Sequence, residues 1–268
     1  MKIIDAHIHT DFSHEKTADF ARSQGILFSW KALQEELDRN SIESAVAITT
    51  SHKSITPGEQ ELLLKQASKD SRIKPVCSIH PDYVNTKYIA AVERLFKDDS
   101  IIGIKIYPGY HPVYPSDKRY YPFYKLAAKY DKAVIIHTGD TFGSDYMVKY
   151  SHPLDIDEIA VKFRETKFII AHLGNPWVRD ATELVYKNEN VYADVSAFCI
   201  GCERKPPWYI VDDIRYALDS SERPDKFLYG SDWPLVKMSD YIKIIKEAVP
   251  KQHQKKVFYE NAKKLFKL

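Results

Sequence analysis

Two histidines one residue apart, His7 and His9, stand in the opening run Ile3-Ile4-Asp5-Ala6-His7-Ile8-His9. Residues two apart in an extended strand point to the same side, so both imidazoles project together, close enough to hold one metal ion. A pair of satisfied polar side chains would leave the same pattern, and the triplet alone does not choose. Three more groups end later apolar runs: His137 before Thr138-Gly139-Asp140, His172 before Leu173-Gly174, and Asp232 within Gly230-Ser231-Asp232-Trp233-Pro234. Burying such groups unpaired is costly, and a shared cation relieves that cost. Three histidines with one carboxylate suit a single divalent ion, zinc first, with manganese or iron(II) as alternatives. The fourth histidine is then left over as an acid or base.

Regular elements must bring these positions together. Eight short apolar runs recur: Ile3–His9, Ser44–Thr50, Lys74–His80, Ile101–Tyr107, Ala133–Thr138, Phe168–His172, Val191–Ser196 and Phe227–Asp232. They are rich in Ile and Val and apolar on both faces, as buried parallel strands are. Between them, segments such as Trp30–Arg39, Glu59–Ser68, Lys87–Phe96, Tyr120–Tyr130 and Leu154–Phe163 carry apolar residues three and four apart, the mark of amphipathic helices. Gln252–Phe266 reads as a final helix. Alternation of this kind gives a doubly wound sheet or a (β/α)8 barrel. Polar groups at the ends of many runs favour the barrel, whose strand ends converge on one rim. A doubly wound sheet would gather its chemistry at a Gly-rich first turn, and this chain has 9 glycines and no GxGxxG. The expectation is a single-domain α/β TIM barrel over residues 1–268.

Composition narrows the partners. With 268 residues, a net charge of +2 and scattered Lys and Glu, the chain has no basic block to attract nucleic acid. No run of about 18 apolar residues suggests a membrane span, and the N-terminus carries Asp5, His7 and His9 where a signal peptide needs an apolar core. A cytoplasmic protein acting on a small molecule is expected, with a homodimer as the prior for its assembly.

Taken together, the pieces Ile4-Asp5-Ala6-His7-Ile8-His9, Ile136-His137-Thr138-Gly139, Ala171-His172-Leu173-Gly174, Tyr192-Ala193-Asp194-Val195-Ser196, Tyr229-Gly230-Ser231-Asp232-Trp233-Pro234 and Glu260-Asn261-Ala262 resemble the amidohydrolase superfamily. The similarity is strongest to its amidohydrolase-2 branch of aminocarboxymuconate-semialdehyde decarboxylase-like proteins, and it spans nearly the whole chain. The resemblance implies that His7, His9, His137 and Asp232 are metal ligands, with Asp232 also moving a proton. It implies that His172 orients the attacking water or polarises a substrate carbonyl. Bound to a divalent ion, water drops from a pKa of about 15.7 to about 7.

Lys105, in Gly103-Ile104-Lys105-Ile106-Tyr107, keeps three readings open. By resemblance to two-metal members it is a carbamate bridge. As a free ammonium it binds a substrate carboxylate. As a structural residue it forms an ion pair, with Asp194 as a candidate partner. His80, His111, Asp140 and Trp233 lie near run ends and are candidate substrate contacts. Arg119 and Arg204 are surface residues that an anionic substrate could meet. Cys199 and Cys202 form a CxxC without the further ligands a zinc site needs, and read as incidental loop cysteines. Specificity belongs to the loops Phe12–Trp30, Tyr107–Arg119, Asp140–His152 and Phe198–Tyr209. The first expectation is a hydrolase that turns metal-activated water on an amide, lactone or similar carbonyl. The second is a non-oxidative decarboxylase with the same ligands, and the third a barrel that binds metal or metabolite without turnover.

Overall fold

The computed structural model describes residues 1–49, 63–67, 69–198, 200 and 208–268. Cys199, Cys202, Arg204, and all of Glu59–Ser68 except helical residues 63–67, lie outside the described residues.

Eight strands form: β1 (Ile3–His9), β2 (Ile42–Ile48), β3 (Ile73–Ser78), β4 (Gly103–Ile106), β5 (Ala133–Ile136), β6 (Lys167–Ile170), β7 (Val191–Asp194) and β8 (Phe227–Leu228). They pair in parallel in sequence order. β8 and the residues after it return to β1 through Ala6 N–H to Tyr229 O and Asp232 N–H to His7 O, both 2.8 Å, and a bridge from Ile8 to Trp233. The fold is the expected single-domain (β/α)8 barrel.

Side-chain alternation sorts the barrel into two packing layers. Ile104, Ile106, Val134, Ile136, Phe168 and Ile170 face the helices. Ile4, Val46, Val76, Ile135, Ile169 and Leu228 fill the interior, which Ala262, Leu265 and Phe266 of the last helix, Asn261–Phe266, close at the N-terminal end. The outer helices present apolar stripes to the first layer, Leu33 and Leu37 from Trp30–Arg39, Val92 and Phe96 from Thr86–Lys97. Ser29 and Asn85 cap these two, accepting from Ala32 N at 3.2 Å and Tyr88 N at 3.0 Å. Among the described residues, no helix is long and apolar enough to cross a membrane.

Two features differ from the sequence expectation. The stretch Phe12–Trp30 is more than a loop, because Glu15–Ser23 is a helix. It buries only Ala21, so it carries almost no apolar stripe to announce it. The fifth, sixth and eighth strands stop at Ile136, Ile170 and Leu228, before His137, His172 and Asp232. His172 (φ 59°) and Asp232 (φ 66°) adopt left-handed backbone, which ends a strand and swings the side chain over the rim.

Candidate active site

Strict alternation along β1 would place Ile4, Ala6 and Ile8 on one face and Asp5, His7 and His9 on the other. The structure breaks that count. Between the pairs Asp5–Ala45 and Ile8–Ala47, β1 carries one residue more than β2, a β-bulge of the kind that re-aims side chains beside active sites. Ile4 and Ala6 therefore join the interior layer, Ile8 joins the outer one, and His7 and His9 both line the cavity at the mouth. Buried Asp5 steadies the irregularity. Its Oδ1 accepts from His7 N at 3.1 Å and from Ser231 N at 2.9 Å, and burial pushes its carboxyl up to about 7. Gly230 makes the room: a Cβ there would lie 2.9 Å from His7 Cβ.

Hydrogen bonding sets which ring nitrogens face inward. His7 Nδ1 lies 2.9 Å from Asp194 Oδ2, and His9 Nδ1 lies 3.1 Å from Ile48 O. An ionised carboxylate and a carbonyl only accept, so each Nδ1 carries the proton and each Nε2 a lone pair. Those Nε2 atoms lie 3.6 and 3.0 Å from Asp232 Oδ1, which is buried and has no hydrogen-bond partner among the described residues. Three electron-pair donors thus converge within 4.8 Å of one another. Such an arrangement is repulsive on its own and fits a divalent cation. Burial and Lys105 lower the His7 pKa. Burial alone would raise Asp232, but His7 and His9 hold its carboxyl well below the usual range.

Asp194, fully buried on β7, also reaches His172. Its Oδ1 accepts the backbone N–H of His172 at 2.9 Å, bracing the left-handed turn there. Burial lowers the His172 pKa to about 3, so the ring is neutral. Lys105 points into the barrel and is 0% exposed. Its Nζ lies 3.5 Å from His7 Nε2 and 5.1 Å from the centroid of the Tyr107 ring. Burial pulls it down to about 8. The Lys105–Asp194 ion pair considered from sequence does not form, because the oxygens of Asp194 are turned to His7, His172 and Ser196.

Above these groups opens a cavity of about 410 Å³, walled by Tyr107, Tyr110, Phe142 and Phe198. The chain was compared with known proteins on this geometry and its sequence. A family model described as amidohydrolase, Amidohydro_2, matches residues 4–268. The chain belongs to the amidohydrolase family. None of the curated proteins matches it. Solved structures share the amidohydrolase's fold at low identity. A probable 2-pyrone-4,6-dicarboxylic acid hydrolase from Acinetobacter baumannii with citric acid bound is 18% identical (TM-score 0.72), covering 100% of both chains. A dihydroxybenzoic acid decarboxylase from Polaromonas sp. JS666 with bound manganese and the inhibitor 2-nitroresorcinol is 17% identical (TM-score 0.72), covering 100% of this chain and 97% of that one. The 5-carboxyvanillate decarboxylase of Sphingomonas paucimobilis is 14% identical (TM-score 0.72), covering 100% and 99%.

The amidohydrolase places the remaining sequence candidates unevenly. His137 lines the cavity, but its Nε2 lies 3.0 Å from Asp140 O. Its lone pair is thus on Nδ1, and it stands outside the close donor group. Burial, then His172, holds its pKa well below the ordinary value. Asp140 also lines the cavity. Trp233 does not: it is buried against Phe12 and Phe28. His80 and His111 meet with their rings tilted by 56°, centroids 4.1 Å apart, away from the cavity lining. Arg119 is held by Asp117 and Asp82 at 2.8 and 3.0 Å. Sequence reasoning did not single out Asp5 or Tyr110, and saw Asp194 only as a partner for Lys105. The spacing Asp194-x-Ser196 beside a strand end was the available signal.

Proposed function

We propose that this amidohydrolase is a divalent-metal-dependent decarboxylase of a small, ring-bearing carboxylic acid. The observation that carries the reading is a buried ammonium, Lys105, beside three converging lone-pair donors, under a cavity walled by aromatic rings. A buried cation with no carboxylate in ion-pair reach among the described residues calls for an anionic ligand. A substrate carboxylate supplies that charge, and aromatic walls suit a flat ring. The two decarboxylases of the same fold, one of them with manganese, support the choice.

His7, His9 and Asp232 would hold the ion, with His137 adding Nδ1. Zinc and manganese both accept this set of nitrogen and carboxylate donors. When bound, the ion supplies a positive charge that fixes and polarises the substrate's oxygens. Lys105 holds the carboxylate. Asp232, ionised at rest and with no hydrogen-bond partner on Oδ1 among the described residues, takes up a proton from solvent water and delivers it to the ring carbon that bears the carboxylate. The carbon–carbon bond to the carboxylate then breaks, its electron pair restores the ring, and CO2 departs. Neutral His172 accepts a hydrogen bond from a substrate hydroxyl.

A hydrolase is the second reading, favoured by the Acinetobacter neighbour, and it would use the same donors on a lactone. One experiment separates the two. Protein reconstituted with manganese or zinc is given ring-labelled and carboxyl-labelled hydroxybenzoates and 2-pyrone-4,6-dicarboxylate. Labelled CO2 from a hydroxybenzoate, abolished by chelator, is expected. Ring opening of the pyrone without CO2 would replace the decarboxylase with the hydrolase. Metal analysis accompanies it: about one ion per chain is expected, and none after reconstitution would overturn both.

A further inference from the structure

The side chain of Ser196 stands between two groups already described. Its Oγ lies 2.5 Å from Asp194 Oδ1, 2.8 Å from His172 Nδ1 and 3.4 Å from His7 Nδ1. Asp194 ends β7, and Ser196 N–H also returns to Asp194 Oδ1 at 3.1 Å.

Counting hydrogens fixes the directions. Asp194 Oδ1 already accepts the backbone N–H groups of His172 and Ser196, at 2.9 and 3.1 Å. It can only accept. The single hydroxyl hydrogen of Ser196 therefore goes to Asp194. The contact with His172 then needs its hydrogen from the ring, so Nδ1–H donates to Ser196 Oγ. Nε2 is left with its lone pair, and His172 lines the cavity.

We propose that Ser196 is a positioning residue that sets the tautomer of His172, so that one carboxylate, Asp194, orients both His7 directly and His172 through the serine hydroxyl. This rests on the role given to His172 above, but it makes a claim about the ring that holds whatever bond the enzyme breaks. Without the hydroxyl, either nitrogen of His172 can carry the proton, and part of the population offers the cavity an N–H instead of a lone pair. The substrate group that His172 must meet then faces the wrong partner.

The test uses the full chain labelled with ¹⁵N-histidine and loaded with zinc, which is diamagnetic. In the parent protein, His172 should show one protonated nitrogen, Nδ1, and one unprotonated nitrogen, Nε2, assigned by comparison with His172→Asn. Ser196→Ala should mix the two tautomers. It should also lower kcat about 10- to 100-fold, as loss of a partner behind a site histidine does, with KM changed less than threefold and the metal count unchanged. Ser196→Thr, which restores a hydroxyl, should return the single tautomer; where its extra methyl prevents folding, Ser196→Cys serves as the weaker donor. A parent His172 protonated on Nε2 would overturn the proposal, as would a Ser196→Ala protein that folds and keeps a single Nδ1–H tautomer. Loss of the metal in Ser196→Ala would overturn it too, assigning the serine to His7. If no carboxylic acid is turned over, the decarboxylase reading fails while the tautomer result stands by itself.

Discussion

Lys105 shows how much one side chain can reveal about a ligand. An ammonium at 0% exposure with no carboxylate in ion-pair reach among the described residues is an unusual thing to build into a barrel. Replacing it with methionine keeps the length and removes the charge. Charge-assisted hydrogen bonds contribute about 1.5–3 kcal/mol, so Lys105→Met should lower kcat/KM on a carboxylate substrate roughly 10- to 100-fold, mainly through KM. Steady-state kinetics across pH adds a sign. Because burial brings Lys105 down to about 8, the ammonium is present below that pH and lost above it. KM for an anionic substrate should therefore climb as pH rises past about 8, and the climb should vanish in the methionine variant. The stability sign runs the other way. Between about 8 and the ordinary 10.5, the folded chain binds fewer protons at Lys105 than the unfolded chain. This group's contribution to stability therefore grows with pH over that window. Denaturant titrations of the parent and Lys105→Met across that range would read it directly.

At the scale of elements, the loop after β5 supplies Asp140, Thr141 and Phe142 to the cavity wall. Its base is fixed by Asp140 N–H to Asn175 O at 3.0 Å and Ser151 Oγ–H to Gly139 O at 2.7 Å. Its tip, Phe142, is exposed and held by Phe142 N–H to Tyr110 Oη at 2.8 Å and by an edge contact with Phe20, centroids 5.3 Å apart. In that aromatic arch, Tyr110 and Phe142 line the cavity and Phe20 backs Phe142 from outside it. Phe142→Ala should raise the affinity for two-ring acids relative to one-ring acids by about tenfold, roughly the burial of an aromatic edge. Calorimetric titration with naphthoate and benzoate checks it, and an unchanged ratio would remove the arch from substrate selection. The helix that supplies Phe20 was not visible in the sequence, since Glu15–Ser23 buries so little. By contrast, the strands and most outer helices were legible from Ile- and Val-rich runs and three-four spacing. Likewise His7, His9, His172 and Asp232 were found by type and by place in the order of runs. What escaped was contact across long separations. Asp194 meets His7 over 187 positions of chain, and no local pattern names that partner. The left-handed turns at His172 and Asp232 escaped for a different reason: apolar neighbours look alike in a strand and in the turn that ends it.

The whole molecule separates its tasks along the barrel axis. The converging donors sit at the C-terminal mouth, while the last helix plugs the opposite end with Leu265 and Phe266. Phe266→Ala should destabilise the fold by about 3–5 kcal/mol, as large truncations in cores do, measured by urea unfolding. The folded fraction should still bind its ion, since the site is at the far end. The bulge in β1 joins these two halves of the design. Below it Ile4 and Ala6 serve the core; above it His7 and His9 serve the site. A chain that paired β1 without the extra residue would bury the same composition and circular dichroism would not tell it apart. It would turn both imidazoles toward the helices and leave Ile8 where the proposed ion would sit. If the proposed site holds, bound metal is a register gauge for the protein: the ion content of a preparation counts the molecules whose first strand has folded in phase.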